Sequence, residues 1–475
     1  MLTCVSHEDC IEALSKSFRI FNHTNEQTHD VEVSSGVDAA LVRLLSFLLF
    51  KESFGEGSDQ TDAISSATSL SQLHAQRSSS RISDEVTCAC QITEMIYRCS
   101  KGTLEASFQR VGQDFLHILA KVMAHQLPKY QTSSREDDDH GGIIPGSVAA
   151  PSSADMKSTN VCLKSVTKIL CHYARVQSAT TSMAHNPKLL SLMISILQHP
   201  VGVIPFEACH NTLWVLANMA CCNENMKHMA SNTRLLDTVI QAANIMQQVP
   251  QDNNREGETP RFSSHHALRL QHSAFRCLLN LSWEQENKTL MSQRDDLVDS
   301  IVRIVQLKTL PTTGSASTDA SSKAIVTMLL QTRLFALGTL RNIAHTPPQQ
   351  KLQLCTAQDG MLLKLLCDTV ATSSSEDPAI RGKAFAVIFN LVSSQTAEIL
   401  ISHPRILDYL TEAASNPDQG ESKPESASTM AFRSLHALDQ AVTSRGSSDE
   451  TRRLMVRRAI NQVTLTRRIQ GSTKP

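Results

Sequence analysis

The sequence predicts an all-α fold, a solenoid of stacked helical repeats with polar inserts between helices. Two observations carry that prediction. The stretch SAFRCLLNLSWEQENKTL (273–290) recurs in degraded form, in register, at several other places, and the steps between its copies contain polar segments that account for their excess length. A third fact agrees with them: 475 residues are many for one compact core, but repeats bury their faces on their neighbours, so an array has no such limit.

In chain order, residues 1–127 read as degenerate helical repeats or an N-terminal cap. Helices are expected over 10–21 and 38–50, separated from the next by an insert at 51–82 too rich in Ser, Gln and Gly to offset the entropy of ordering. Helical spacing returns with Ile92, Met95 and Ile96 and then with Phe115, Leu116, Ile118, Leu119 and Val122. Residues 128–159, with Pro128, Pro145, Pro151 and the acids Asp137 to Asp139, read as a linker or long surface loop.

The regular array is expected over 160–445. In CLKSVTKILCHYA (162–174), counting back from Leu189 and Leu190 puts His172 where later units carry Asn. HNTLWVLANMACCNENMKHM (210–229) leads to Leu235, Leu236, Val239 and Ile240. In the next unit Leu270, Ala274, Leu278 and Leu281, beside Phe275 and Leu279, make one apolar face. His272, Arg276, Asn280 and Trp283 form a polar and aromatic row on the other, and a short segment from Asn287 to Gln293 precedes an apolar helix from Asp296 to Leu307. TRLFALGTLRNIA (332–344) and GKAFAVIFNLVSS (382–394) repeat the pattern, and MAFRSLHAL (430–438) closes it with Ala437 in the Asn position. With Asn218, Asn280, Asn342 and Asn390 as anchors the steps are 62, 62 and 48 residues. Removing the inserts at 247–266 and 308–323 brings the unit toward the roughly 40 to 47 residues of a helical solenoid repeat. Loss of the Asn at both ends suits terminal repeats, which meet solvent on one face.

Residues 446–475 form a basic C-terminal helix or tail with Arg452, Arg453, Arg457, Arg458, Arg467, Arg468 and Lys474. Its plainest reading is the outer face of a capping helix; a partner-binding amphipathic helix, a nuclear address and an RNA-contacting patch are the alternatives.

A net charge of −1 offers no general pull on nucleic acid or anionic membrane. Thirteen cysteines, several inside apolar helical runs (Cys162, Cys171, Cys209, Cys277, Cys355, Cys367), read as reduced core residues and place the chain in the cytosol or nucleus. The opening MLTCVSHEDC lacks the layout of a secretory signal, so export is not expected. The apolar run from Val37 to Phe50 is too short and too charged to span a bilayer. Cys88 with Cys90 and Cys221 with Cys222 lack zinc-site spacing, and no phosphate loop, dinucleotide fingerprint or H-E-x-x-H is present, so no metal, cofactor or catalytic residue is expected.

An apolar helix ending in (L/A)xNL(S/A), then a short helix with an early Asn, then a longer apolar helix, resembles the armadillo repeat of beta-catenin, plakophilins and importin alpha. ALGTLRNIA (336–344), LLNLSW (278–283) and WVLANMA (214–220) are the pieces that carry it. The resemblance implies a right-handed superhelix whose third helices line a concave groove, with Asn side chains hydrogen-bonding the backbone of an extended peptide. A carboxamide suits that task because it offers both a donor and an acceptor. The importin-alpha pattern also has a Trp one turn before the Asn. Trp214 with Asn218 keeps that spacing, whereas Arg276, Gly338 and Ala386 stand at the equivalent places and Glu207 is the acid that falls on the row. This departure argues against a receptor for basic nuclear-import signals.

Helical projection gives a groove floor of Lys164, Lys168, His172, His210, Trp214, Asn218, His272, Arg276, Asn280, Trp283, Asn342 with His345, Lys383 and Asn390. Its first half is basic. The expected function is a non-enzymatic interaction scaffold or adaptor that holds an extended, neutral-to-acidic peptide segment of a partner protein, Lys and Arg pairing its carboxylates and Asn holding its main chain. The alternative is a nuclear-transport-type or regulatory adaptor acting through the basic tail and phosphorylatable inserts such as RSSSRIS (77–83), with the Asn ladder purely structural.

Overall fold

A computed structural model describes residues 113–130 in part and then 153–200, 202–245, 264–307, 320–371, 377–416, 426–444 and 450–472. The helices expected over 10–21 and 38–50, the insert at 51–82, the acidic run at 137–139 and most of the inserts at 247–266 and 308–323 lie outside the described residues. Among the described residues the regular elements are all helices, without a strand.

A short helix α1 (119–126) precedes the long α2 (Ser153–Tyr173), and five triplets follow. The first holds α3 (Gln177–Ala184), α4 (Pro187–Gln198) and α5 (Phe206–Met219), the second α6 (Asn223–Ser231), α7 (Thr233–Ala243) and α8 (Ser264–Leu281). The third holds α9 (Gln285–Ser292), α10 (Asp295–Gln306) and α11 (Ala320–Ile343), the fourth α12 (Pro348–Thr356), α13 (Met361–Ala371) and α14 (Pro378–Leu391). The fifth holds α15 (Ala397–Ser402), α16 (Ile406–Ser415) and α17 (Ala427–Ser444), and α18 (Glu450–Ser472) ends the stack.

Local chemistry repeats with the triplet. Asn186 and Asn232 cap the second helices, their side-chain oxygens accepting from Leu189 N (3.0 Å) and Leu235 N (3.1 Å). The corner from third to first helix is closed by a buried side chain: Asn225 Nδ2 donates to Met219 O (3.0 Å), Asn287 Nδ2 to Leu281 O (2.9 Å) and Thr396 Oγ1 to Leu391 O (2.6 Å). Each bond satisfies a carbonyl that the helix C-terminus leaves open.

Like packs on like. The third helices α2, α5, α8, α11, α14 and α17 each touch the next, and the second helices α4, α7, α10, α13 and α16 do the same. One apolar core runs between these layers from Leu116 to Val463. Cys162, Cys277, Cys355 and Cys367 are buried in it, and burial pushes the thiols of Cys277, Cys355 and Cys367 up to about 12, so they stay protonated. The stretch Ser322–Ile343 is long and apolar enough to cross a membrane, yet its Ala336, Leu337, Leu340 and Ile343 are fully buried between neighbours in the stack.

Three boundaries differ from the sequence reading. Residues 153–159, assigned to a loop, are the first two turns of α2, with Asp155 in the first turn favouring the helix dipole. Thr159 Oγ1 donates to Gln126 Oε1 (3.0 Å) and Tyr130 Oη to Asn160 Oδ1 (2.6 Å), so α1 is docked on α2 and extends the array upstream. α8 and α11 likewise begin inside the expected inserts, at Ser264 and Ala320.

The basic tail is a helix packed on the last triplet. α18 lies on α16 and α17 with Val456, Ala459 and Val463 buried. Arg467 donates to Ala414 O (2.8 Å) and to Ser428 Oγ (2.8 Å), and Arg452 pairs with Glu398 at 2.6 Å.

Candidate peptide-binding face

The third helices carry the row that projection placed on the groove floor, and the Asn residues on it bind one another's helices. Asn280 donates its Nδ2 to Ala217 O (2.8 Å) and Cys221 Sγ (2.9 Å) at the end of α5, and Asn390 donates to Arg341 O (2.7 Å) near the end of α11. Asn342 donates to Ser282 Oγ (2.9 Å), and Asn218 accepts from Arg276 Nη2 (3.0 Å). The carboxamides of Asn280, Asn342 and Asn390 therefore tie α8, α11 and α14 to the C-terminal end of the third helix before each. At Asn280 both amide hydrogens are committed to this stitch, which leaves Oδ1 as its acceptor for anything lying across it.

Beside the stitch, the first and second triplets open a cleft of roughly 470 Å³. Trp214 is its wall. The Arg175 guanidinium lies 5.0 Å from the indole centroid and that of Arg276 5.8 Å. Asn218 fixes one end of Arg276, and Gln177 and Thr180 of α3 complete the rim. An arginine held against an indole loses little rotamer freedom on binding.

One triplet on, the motif returns in weaker form: Trp283 is 55% exposed and Arg341 lies 6.0 Å from its ring. Sequence reasoning missed both Arg175 and Arg341. Arg175 lies one helical step beyond His172, so extending that row would have found it, whereas Arg341 directly precedes the anchor Asn342 and falls off the projected row.

The remaining predicted residues divide. Lys168 is exposed and Lys383 half-buried, while Lys164 is paired with Glu207 at 3.0 Å, so its charge is already compensated by the acid placed on the same row. His210 and His272 are half-buried, and burial, with Arg269 acting on His210 and Arg276 on His272, lowers each to about 4. They are neutral at pH 7 and add no cation. Thr332 gives its hydroxyl hydrogen to Met328 O, so the His272 Nδ1 facing Thr332 Oγ1 at 3.1 Å is the donor of that bond. His172 and Asn342 are covered, at 7% and 6% exposure, and do not reach the floor. Phase along a helix assigned them to the row; the approach of the adjoining elements removes them.

The order of a short, a middle and a long helix, stacked like on like, makes this an armadillo-type solenoid. No family model matches the chain and no curated protein matches it in sequence. Among solved structures it is similar to a designed armadillo repeat protein at 14% identity and a TM-score of 0.39, over 66% of this chain and 99% of that one. A second designed armadillo repeat protein, in complex with the peptide (KR)4, gives 14% identity and a TM-score of 0.39 over 66% and 98%. UNC-45 from Drosophila melanogaster gives 11% and 0.29 over 87% and 52%. The fold assignment rests on the triplets themselves.

Proposed function

We propose that this chain is a non-enzymatic protein-binding scaffold of the cytosol or nucleus, and that α5 and α8 hold an extended, neutral-to-acidic segment of a partner. The observation that carries this reading is the cleft between Arg175, Trp214 and Arg276, in which two guanidinium groups face one indole. An arginine fork binds a carboxylate through two parallel hydrogen bonds, and the ring supplies apolar area for the stem of the same side chain. The backbone of the segment is met by the free acceptor of Asn280, which takes an N–H from an extended chain. A partner protein is favoured over nucleic acid because the overall charge is −1 and the tail arginines Arg452 and Arg467 are held in the cap.

A panel of unstructured peptides of one length, acidic, neutral or basic, titrated against the full chain by fluorescence anisotropy, tests the reading. Acidic peptides are expected to bind best, with affinity falling as salt rises. Tight binding confined to Lys- and Arg-rich peptides would reverse the charge assignment and overturn the proposal.

A further inference from the structure

We infer that the outward face of α18 is a docking surface for an amphipathic helix of a partner protein, one with two apolar anchors three turns apart and an acidic residue between them. This surface lies outside the groove, and the inference stands independently of the reading above.

Burial is the first reason. α18 is apolar on two opposite sides. Val456, Ala459 and Val463 are buried where it packs on α16 and α17. Leu454, Leu465 and Ile469, at i, i+11 and i+15, fall within about 60° of one another on the other side. Each is more than half exposed, with the exposed Met455 at the edge of their stripe. The other large apolar side chains exposed among the described residues, Val161, Trp283, Val326 and Met361, stand singly on or beside four different helices. Single exposed apolar residues are ordinary, whereas a stripe of them marks a surface that something covers.

Charge is the second reason, and it selects the occupant. Between the anchors the same stripe carries Arg458, Asn461 and Gln462, all exposed. Arg458 has no ion pair among the described residues, whereas Arg452 and Arg457 are matched by Glu398 and Asp439. Residues 451–472 contain no Asp or Glu. An acid on an incoming helix would pair with Arg458. A bilayer offers a poorer fit, because it would take Arg458, Asn461 and Gln462 into the acyl boundary at the middle of the buried face. A second copy of α18 would bring the same arginine and no acid, so like charge opposes that pairing.

Geometry is the third. Leu454 and Leu465 are eleven positions apart, about 16 Å along a helix. A helix crossing at about 20° stays in contact over that length, so leucines three turns apart on it meet both ends of the stripe. Arg467, bonded to Ala414 O and Ser428 Oγ, already fixes α18 on the stack, and the stripe is presented without an ordering cost.

The test uses the full chain and synthetic helical peptides of Ala and Gln with two leucine pairs three turns apart and Glu, Gln or Lys between them, read by fluorescence anisotropy. The Glu peptide is expected to bind at about 10 μM, roughly tenfold tighter than the Lys peptide. Leu465→Ser should weaken it about tenfold, and Arg458→Glu should reverse the order of the Glu and Lys peptides. Both side chains are exposed, so both variants should keep the wild-type circular dichroism. Equal binding of the three peptides, binding of none, or an affinity that Leu465→Ser leaves unchanged overturns the proposal, and the Glu-to-Lys ratio on the wild type decides without any variant. Co-sedimentation with phosphatidylserine vesicles that Leu465→Ser abolishes assigns the face to a membrane and overturns it. A dimer that the same variant returns to monomer assigns it to a second copy and overturns it too.

Discussion

Arg276, Gly338 and Ala386 stand at the same place in three successive third helices, and the difference between them divides the molecule. In α8 the position projects a guanidinium onto Trp214 and into an open cleft. In α11 it has no side chain: a β-carbon on Gly338 would lie 3.0 Å from Leu279 Cδ1, and the absence of one lets the helix close on α8. In α14 it is Ala386, 2% exposed. In the first half of the face this position opens onto a cleft, in the second it is given to packing, and the burial of Asn342 accompanies the closer fit. A repeat position fixes where a side chain points, and the size of the residue decides whether it reaches solvent.

The largest expected effect comes from forcing the second half to resemble the first. Gly338→Leu overpacks the contact with Leu279 and should cost about 1–3 kcal/mol, whereas Arg276→Leu at the open position should cost less than about 1 kcal/mol. Denaturation midpoints of the two variants compare them directly, and the reverse order would sink the division.

Next come the two anchors. Asn342→Ala leaves the buried Ser282 hydroxyl without its amide donor and should cost about 1–2 kcal/mol. Asn218→Ala, at a half-buried position that holds Arg276, should cost less than half of that while weakening peptide binding. Equal losses in stability, with binding untouched by either, would show that both halves use the ladder alike.

Acid should loosen the first half before the second. His210 and His272 are held near 4 in the folded chain against an ordinary 6.5, so the unfolded chain takes up more protons between those values. Their contribution is fully present above pH 6.5 and is lost progressively toward pH 4, on the order of 1–2 kcal/mol each by pH 5. Hydrogen exchange in α5 and α8 should therefore quicken from pH 7 to pH 5, after correction for intrinsic rates, more than in α14. A uniform change along the stack would contradict the assignment.

The helical triplets were legible because their signal is redundant: apolar spacing, the early Asn of the first helix and the anchor Asn all recur, and each marks the same register. The site was legible only by phase. Projection found Trp214, Asn218 and Arg276, which do converge, but it also gave His172 and Asn342, which neighbours cover. It could not show that Lys164 is paired with Glu207 or that Asn280 spends its donors on Ala217 and Cys221. Those facts depend on the distance between helices about forty to sixty residues apart in sequence, which side-chain size sets and periodicity does not record. The start of α2 was lost for a different reason: residues 153–159 are polar and follow Pro151, and their helicity depends on α1 docking against Thr159 and Asn160.

Amide hydrogen exchange of the full chain, with and without the tightest-binding acidic peptide, tests most directly whether the two halves differ in use. Protection is expected over Phe206–Met219 and Ser264–Leu281 and at the Gln177 end of α3, with Pro378–Leu391 unchanged. Protection centred on Pro378–Leu391, or spread over the second helices of the triplets, would contradict it.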